Sequence, residues 1–555
     1  MSNHPAWFNL TYRIQPVLTL KKVFATSRLL TARQLFAFEL TIAAAFCLVP
    51  LLFNNPYRLN IFLSWEGAYR LSIGQIPFRD FSLPMGYGYW VIPAIFFKVF
   101  GPFMYSLIKA QVFINLVSVL AFRAMLKTLG VRPEVILLSV VVFCFSYVSW
   151  NFWPWYNHLV IVLGFVAMYF TLVAIFTGKV WKLWCSLVAS AFFILFAFFT
   201  KQDGGALTLL IAGGMLSYDA IVDRSIKKLA IFAGAMIFWS ILFVAPLLPY
   251  DFMYWFNYGQ PPHDSRIHAI NFFNEILGWS YWQKFFLLII VLVAADKIRR
   301  SSSFLMDKKQ FLFAFVCAAI MVKSMIIQVT SHEPPNGEVF FYAFGFAFVI
   351  SHFRFSFNLA DWRYLAAAGV LVGFWWSGIY WRNIQRLVAK KPTIVEKATA
   401  RTSHKYRLAS EFKTMDHLYL AENTIEGIKR VKELPAFENN PDVRVLNMSE
   451  LTSLAYEIPF TPLTDQPMWF HQGVSIFQKE VDEFCERVAK FDYDVVLFES
   501  IPVNEVINFY PEDVKKCLDQ TYTYEFSFLA PRTPEESYIH VYTRPSRNMS
   551  KTSRR

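Results

Sequence analysis

The amino-acid sequence predicts an all-α polytopic membrane bundle with a large first external loop and an exported C-terminal α/β domain. The first reason is composition: of 555 residues, 55% are hydrophobic and 17% are charged, and the mean hydropathy is +0.37. The second is that apolar runs of about 20 residues recur, the length that a helix needs to cross ~30 Å of hydrocarbon. The third is a change to a mixed polar composition after Trp381. A soluble protein of this length would carry more charge.

About eleven spans are predicted, and the basic residues indicate their orientation. The net charge of +13 is spread over short loops between the apolar runs, as the positive-inside rule requires, so we expect no nucleic-acid partner. We place a basic N-terminus, residues 1–35, in the cytoplasm and a transmembrane module at residues 36–381. The predicted spans are 36–54, 104–126, 134–150, 158–177, 183–200, 205–219, 229–249, 284–298, 310–329, 338–353 and 363–381.

Residues 86–100 are apolar but too few to cross a membrane. As a helix, such a segment rises only ~20 Å, and a span here would reverse the side of every later basic loop. We therefore predict a helix in the outer interface, inside one first external loop at residues 55–103. Eleven spans then leave the C-terminus outside the cell (inner) membrane.

The C-terminal part is predicted to be a separate unit. A basic linker at 382–407 precedes a periplasmic or extracellular α/β domain at 408–545, and a disordered tail follows at 546–555. The segments "VRVLNM", "DVVLFES", "YEFSFL" and "YIHVYT" predict strands, and 474–490 predicts an amphipathic helix. Cys485 and Cys517 lie in this exported part, where two thiols are able to pair.

The first external loop carries an unusual polar cluster for so apolar a chain, in "SWEGAYRLSIGQIPFRDFSLPMGYGYW" (64–90). Glu66, Tyr69 and Arg70 are spaced i, i+3 and i+4, so one helical face would present an acid, a phenol and a base together. A lone carboxylate at a membrane interface is most often an ordinary solvated side chain. The clustering is what favours a functional site.

The order of residues in this loop resembles the first external loop of GT-C glycosyltransferases. The shared pattern is an acid followed by Gly-x-Tyr, then "GQIPFRDF" with Arg79 and Asp80, a Pro/Gly/Tyr run, and a short apolar helix ending in "FG". It is similar to bacterial members of the protein mannosyltransferase and lipid A aminoarabinose transferase superfamily. The number of spans, a long external loop near 250–283 and the exported domain extend the likeness.

The resemblance implies a membrane enzyme that moves a sugar from a polyprenyl-phosphate carrier to a hydroxyl of an envelope glycan, lipid or protein. A carboxylate of the first external loop acts as general base, because an uncharged hydroxyl is a weak nucleophile. Cationic groups stabilise the phosphate that leaves. One base and a direct displacement suffice for inversion, whereas retention would need a second carboxylate as nucleophile.

Two acids compete for the role of base. Many relatives carry adjacent Asp and Glu residues, whereas this chain has Trp65 followed by Glu66. Glu66 is the preferred base and Asp80 the alternative. A structural role explains Asp80 nearly as well, either pairing with Arg79 or capping a helix.

Binding groups for the donor are sought among the few polar residues on the external side. "TKQDGG" places a lysine and an acid between two spans, and Lys323 lies inside a span. A lysine at that depth either snorkels outward or faces the bundle to meet a lipid phosphate, and both readings stay open. The substrate-binding candidates are Tyr69, Arg70, Arg79, Lys201, Asp203, His263, Arg266 and Lys323.

No metal site is predicted, although a divalent ion stays open as a cofactor. His263 and His268 lie five residues apart in a loop with no clear third ligand. The aromatic residues of that loop are typical of the interfacial belt and also suit sugar rings.

Two other functions compete with the enzyme: a transporter or flippase of a lipid or glycan, and a non-catalytic scaffold for envelope assembly. The spans lack the paired intramembrane acids, broken helices and repeat symmetry that are common in transporters. The sequence does not identify the sugar, the carrier lipid or the acceptor.

Overall fold

Long apolar helices build the first part of the molecule. The computed structural model describes residues 28–58, 61–256, 268–331, 337–389, 404–438, 442–458, 460–473, 475–501, 510–532 and 536–545. The helices before the C-terminal domain are α1 (Ala32–Leu48), α2 (Ile61–Ser72), α3 (Gly88–Phe100), α4 (Met104–Thr128), α5 (Pro133–Ser146), α6 (Tyr156–Phe176), α7 (Val180–Phe198), α8 (Gln202–Asp223), α9 (Lys227–Val244), α10 (Phe252–Trp255), α11 (Ala269–Phe273), α12 (Tyr281–Arg300), α13 (Lys308–Thr330), α14 (Tyr342–His352), α15 (Trp362–Trp375) and α16 (Ser377–Ala389).

Among the described residues, eight helical stretches are long and apolar enough to cross a membrane. The predicted spans 338–353 and 363–381 coincide with the shorter α14 and with α15 and the start of α16. The membrane bundle is therefore confirmed as the fold class. The eight stretches are Ala32–Leu52, Met104–Thr128, Pro133–Trp150, Tyr156–Phe176, Val180–Phe198, Gln202–Asp223, Lys227–Leu247 and Lys308–Thr330.

One pair of apolar helices is sharply bent, which differs from the expectation of unbroken helices. Ala269–Gly278 and Tyr281–Arg300 meet at an angle of 70°. Between them Ser280 adopts a left-handed backbone conformation with φ of +53°. A left-handed residue cannot continue a right-handed helix, so the chain changes direction at this point.

Side-chain caps and aromatic packing define the bundle. Thr31 caps α1 by accepting from the backbone N–H of Gln34 at 3.3 Å, and Asp307 accepts from two backbone N–H groups in the first turn of α13. In the interior, Phe122 of α4 stacks on Phe143 of α5 with 4.7 Å between ring centroids. The caps define where α1 and α13 begin, and the ring pair packs α4 against α5.

The C-terminal domain is built on a mixed sheet. The strands of the molecule are β1 (Asn55–Pro56), β2 (Phe81–Ser82), β3 (Tyr406–Leu408), β4 (Leu418–Ala421), β5 (Val445–Met448), β6 (Gln466–Pro467), β7 (Val495–Ser500), β8 (Thr523–Leu529) and β9 (Tyr538–Thr543). The four-stranded sheet has the order β5-β7-β9-β8; β5 and β7 run parallel and the other neighbours antiparallel. The four predicted strands are confirmed as β5, β7, β8 and β9.

Helices cover this sheet, and a disulfide joins two of them. The helices of the domain are α17 (Glu422–Lys432), α18 (Leu454–Glu457), α19 (Gln478–Ala489) and α20 (Glu512–Thr521). α19 confirms the predicted amphipathic helix, with Val481, Phe484 and Val488 buried. Cys485 of α19 and Cys517 of α20 are bonded, with 5.6 Å between their Cα atoms.

The first external loop and the C-terminal domain form one folded unit, which the sequence did not suggest. β1 of the loop adds a parallel strand to β4, and β2 of the loop pairs with β6. Tyr57, Ile61 and Trp65 share a hydrophobic core with residues of the domain that include Phe412 and Leu418. The reason is that these apolar loop side chains and strand edges need partners, and the domain supplies both.

Contacts at both ends of α3 support the predicted interfacial placement of this helix. β2, before α3, pairs with the C-terminal domain, and after α3 the backbone N–H of Met104 donates to Thr414 O of that domain at 2.9 Å. Both ends therefore meet the same domain. A helix of 13 residues that starts and ends on one side does not cross the membrane.

Candidate active site

Glu66 and Arg70 form a buried ion pair on α2. Both the Nε and the Nη2 of Arg70 donate to Glu66 Oε1, at 2.9 and 2.6 Å. Glu66 is 8% exposed and Arg70 is 1% exposed. Within the described residues, Glu66 Oε2 accepts no hydrogen bond. The i, i+4 spacing therefore places the acid and the base together as predicted and leaves one carboxylate oxygen open for chemistry.

The surroundings of Glu66 favour proton uptake. Burial raises the pKa of the Glu66 carboxyl above its ordinary value, and the positive charge of Arg70 opposes part of that rise. A carboxylate with a raised pKa accepts a proton more readily than an exposed one. Such a group suits a general base.

Arg70 also connects this site to the C-terminal domain. Its Nη1 donates to Gln75 Oε1 at 2.9 Å and to Leu463 O at 2.8 Å. Gln75 Nε2 in turn donates to Pro462 O at 3.0 Å. The guanidinium that holds Glu66 is thus itself held by a segment of the distant domain.

Asp80 has a different environment from Glu66. Arg79 donates to Oδ1 through Nε at 2.8 Å and to Oδ2 through Nη2 at 2.7 Å, and the backbone N–H of Ile76 donates to Oδ2 at 2.7 Å. The hydrogen bonds from Arg79 hold the pKa of the Asp80 carboxyl below its ordinary value. Both oxygens of Asp80 serve to close the turn at 76–80, which agrees with the structural role considered for this residue.

Tyr69 packs among aromatic residues of the loop and of the C-terminal domain. Its ring packs against Trp65 at 4.7 Å and Tyr456 of the C-terminal domain at 6.0 Å between centroids. Burial raises the pKa of the Tyr69 phenol. This candidate therefore contributes to the core shared by loop and domain.

Lys201 and Asp203 meet the end of α13. Lys201 Nζ lies 3.2 Å from Asp203 Oδ2 and donates to Ser331 Oγ at 2.7 Å. The hydroxyl of Thr330 donates to Asp203 Oδ2. The charges of this pair compensate each other before any ligand binds.

The "TKQDGG" string also touches the second half of the first external loop. Gln202 Nε2 donates to Pro84 O at 2.9 Å, and the backbone N–H of Gly88 donates to Phe199 O at 2.7 Å. A Cβ on Gly86 would lie 1.9 Å from Phe199 O, so only glycine permits this close approach. The loop is therefore held from the bundle side as well as from the domain side.

Lys323 faces the interior of the bundle. It is 1% exposed, and its Nζ donates to Thr208 Oγ1 of α8 at 2.7 Å. Of the two readings of this lysine, the structure supports the inward one over snorkelling. No carboxylate in the described ranges lies within ion-pair distance of Nζ.

The remaining candidates, His263 and Arg266, lie outside the described residues. Near them in sequence, Tyr254 donates from its hydroxyl to Glu480 Oε1 of the C-terminal domain at 2.8 Å. Within the described ranges, no group of three His, Cys, Asp or Glu side chains is arranged to hold a metal ion.

A cavity of about 640 Å³ lies between α5, α6, α14 and the region where α15 meets α16. Arg58 and Arg382 line it, and their guanidinium carbons lie 5.5 and 4.7 Å from the ring centroids of Trp155 and Trp150. His158 and Glu338 also line the cavity, whereas Glu66 does not. Cationic groups stacked on indoles in a concave site suit an anionic headgroup.

Sequence reasoning missed most of this cavity. His158 is 5% exposed, and its Nδ1 lies 2.9 Å from Gln111 Nε2. The available signal was a pair of polar residues, Asn157 and His158, at the start of an apolar span. Arg382 and Glu338 lie far apart in sequence, and only the packing of the helices brings them to one place.

Glu66 opens into a separate, much smaller crevice of about 20 Å³ beneath the C-terminal domain. The domain contributes Asn447, Thr452 and Gln466 to its walls, and α2 contributes Glu66 and Arg70. A space of this size holds about one water molecule. The described structure thus has the domain closed over the carboxylate.

Comparison with known structures identifies the fold. This chain is similar to two crystal structures of ArnT from Cupriavidus metallidurans, one bound to undecaprenyl phosphate and one in the apo state. Each alignment covers 91% of this chain and 97% of the ArnT chain, with 11% sequence identity and TM-scores of 0.51 and 0.52, respectively. This chain has a GT-C-like fold. No protein-family model and no curated protein sequence matches it.

The GT-C-like fold agrees with the resemblance seen in the first external loop. The similarity extends over the bundle and the C-terminal domain, well beyond the motif that carried the resemblance. At 11% identity the likeness is one of fold. The chemistry has to be argued from the side chains of this chain.

Proposed function

We propose that this protein is a membrane glycosyltransferase that moves a sugar from a polyprenyl-phosphate carrier to a hydroxyl group, with Glu66 as general base. The observation that carries the proposal is a buried carboxylate with one open oxygen, in the first external loop of a GT-C-like fold. The ArnT structure bound to undecaprenyl phosphate supports a lipid-phosphate donor.

Glu66 is proposed over Asp80 because of the bonds that each makes. Asp80 has both oxygens engaged by Arg79 and Ile76 and a lowered pKa, so it is a poor proton acceptor. Glu66 has an open Oε2 and a raised pKa. Arg70 is proposed as a positioning residue that fixes the carboxylate through Oε1.

The proposed step is a direct displacement at the anomeric carbon. The acceptor oxygen forms the new bond to that carbon while its proton passes to Glu66 Oε2. The bond from the anomeric carbon to the phosphate oxygen breaks, and its electron pair leaves with the lipid phosphate. A single displacement inverts the configuration of the sugar.

The leaving phosphate needs positive charge in a poorly hydrated place. We propose the cavity of about 640 Å³ as the place for the headgroup, with Arg58 and Arg382 as its cations. Lys323 is a third candidate, because its buried Nζ donates to Thr208 Oγ1 and lies beyond ion-pair distance of every carboxylate in the described residues. Lys201 is less suited, because Asp203 already compensates its charge.

The proposed location is the inner membrane, with the N-terminus in the cytoplasm and the C-terminal domain outside. The disulfide between Cys485 and Cys517 supports an oxidising compartment for that domain. The acceptor is proposed to be an envelope glycan, lipid or protein. The boundaries of linker and domain at 382–407 and 408–545 stay proposals.

Purified protein in liposomes, given undecaprenyl phosphate that carries a radiolabelled sugar together with isolated cell envelopes, tests the proposal. We expect labelled sugar to appear in the envelope acceptor with inverted configuration. Movement of the labelled lipid between leaflets without sugar transfer would instead favour a flippase. The absence of both sugar transfer and lipid movement would favour a scaffold.

A further inference from the structure

The crevice beside Glu66 is built by two parts of the chain that are distant in sequence. Glu66 and Arg70 come from α2, Asn447 from β5, Thr452 from the turn before α18, and Gln466 from β6. The pairing of β6 with β2 and the bond from Arg70 to Leu463 O fix the domain against the loop. The place of these domain residues relative to Glu66 is therefore defined by the fold.

Two polar atoms in this crevice have no partner among the residues that the structure describes. They are Thr452 Oγ1 and Gln466 Oε1, on side chains of residues that are 5% and 8% exposed. Buried polar atoms are nearly always hydrogen-bonded, because leaving them unpaired is unfavourable. With the open Oε2 of Glu66, they form a set of three groups that a small polar ligand would satisfy.

The charge of the crevice limits what this ligand is. Arg70 neutralises Glu66 across 2.6 Å, and the other polar lining residues, Asn447, Thr452 and Gln466, are uncharged. An anionic group would lie against the Glu66 carboxylate without a free cation. A neutral hydroxyl is able to donate to Glu66 Oε2 and at the same time to accept from the Thr452 hydroxyl and from the Gln466 amide, whose oxygen and nitrogen exchange places when the amide flips.

We infer that the C-terminal domain supplies the acceptor subsite, in which Thr452 and Gln466 bind the neutral hydroxyl group that Glu66 deprotonates. This inference rests on the proposed function, because it assigns a second substrate to the same carboxylate. The space of about 20 Å³ accommodates the hydroxyl and little more.

Near-isosteric substitutions test the subsite. Thr452→Val and Gln466→Met remove the polar atoms with little change of side-chain shape. Each variant is assayed as full-length protein, with the labelled undecaprenyl-phosphate sugar as donor and isolated cell envelopes as the acceptor probe. We expect each to raise the apparent KM for the envelopes about tenfold and to leave the KM for the donor unchanged. Thr464→Val is the matched control, since Thr464 is an exposed residue of the same segment and does not line the crevice.

The outcomes separate this inference from the proposed function. If the wild-type protein transfers no sugar, the proposed function fails and the acceptor subsite fails with it. If the wild type transfers sugar and both variants keep the acceptor KM of Thr464→Val, the subsite alone is overturned. A rise in the KM for the donor equal to the rise in the KM for the acceptor would also overturn the subsite. Unchanged unfolding temperatures of the variants exclude misfolding as the cause of a raised KM.

Discussion

Glu66 and Asp80, two carboxylates of the first external loop, have opposite surroundings. Burial raises the pKa of Glu66, which is bonded through one oxygen, whereas the hydrogen bonds from Arg79 lower the pKa of Asp80, which accepts three hydrogen bonds in all. Environments that separate the pKa values of nearby acids commonly divide their roles. Here the division is between proton acceptor and turn stabiliser.

Removing the charge of Arg70 is expected to shift the pH dependence of transfer. Arg70 favours the ionised form of Glu66, so Arg70→Gln raises the pKa of Glu66 further. Because the base must be deprotonated, the acid limb of kcat/KM then moves to higher pH. The measurement is a pH profile between about pH 4 and 9.

Arg407→Gln provides a control with the same i, i+4 spacing in the sequence. Arg407 pairs with Glu411 at 2.7 Å on the exposed surface of the C-terminal domain. The acid limb of the Arg407→Gln pH profile should coincide with that of the wild type. An Arg70→Gln profile that also coincides with the wild type would mean that Glu66 is not the titrating base.

The sequence predicted the acid, the base and their spacing, because helical periodicity fixes which side chains are neighbours on α2. It did not reveal which oxygen of Glu66 is open, since this depends on contacts with residues more than 380 positions away, such as Leu463. It also did not reveal how Asp80 is bonded, since this depends on the turn at 76–80. Thr452 and Gln466 carried no local signal at all. Their position follows from how the domain docks.

The docking of the first loop on the C-terminal domain depends on short elements. β1 and β2 contain two residues each, and no periodic pattern distinguishes such strands from loop. The longer strands β5, β7, β8 and β9 were predictable because each is a run of apolar or β-branched residues. The pairing of β1 with β4 and of β2 with β6 depends instead on the hydrophobic core that the first external loop shares with the C-terminal domain.

A buried ion network stabilises the domain where it meets the loop. Arg532 donates to Glu450 Oε1 at 2.7 Å and to Glu499 Oε1 at 3.2 Å, and the Tyr57 hydroxyl of the loop donates to Glu450 O. All three charged residues are at most 4% exposed. Removal of the single arginine would leave two acids buried.

Arg532→Met is therefore expected to destabilise the C-terminal domain by about 3–5 kcal/mol. Hydrogen–deuterium exchange of the β7 amides in the full-length protein measures this loss. Lys516→Met removes an exposed pair with Asp513 and should leave exchange unchanged. Equal exchange in the two variants would show that the network contributes no stability.

Membrane-spanning helices were predictable from apolar length, and eight helical stretches of the described residues are long and apolar enough to cross a membrane. The break at Ser280 was not predictable, because nothing in the sequence marks a left-handed residue there. The first external loop and the C-terminal domain contact each other, so an even number of crossings separates them. The ten further spans that we predict after α1 satisfy this condition.

Cysteine labelling in intact cells tests the proposed orientation. A membrane-impermeant maleimide should label Thr464→Cys in the C-terminal domain at once, and Lys127→Cys in the last turn of α4 only after the membrane is permeabilised. The wild type is the blank, because its free cysteines lie in spans and Cys485 and Cys517 are bonded. The reverse pattern would place Glu66 in the cytosol and remove the proposed site.

Single-turnover transfer by Glu66→Gln and Asp80→Asn tests the central claim most directly. With labelled donor bound in advance, we expect Glu66→Gln to slow transfer by about 10²–10⁴-fold without loss of donor binding. Asp80→Asn should remain within about tenfold of the wild type and unfold at a lower temperature. If Glu66→Gln transferred sugar at the wild-type rate while a folded Asp80→Asn protein transferred none, the assignment of Glu66 as the base would be contradicted.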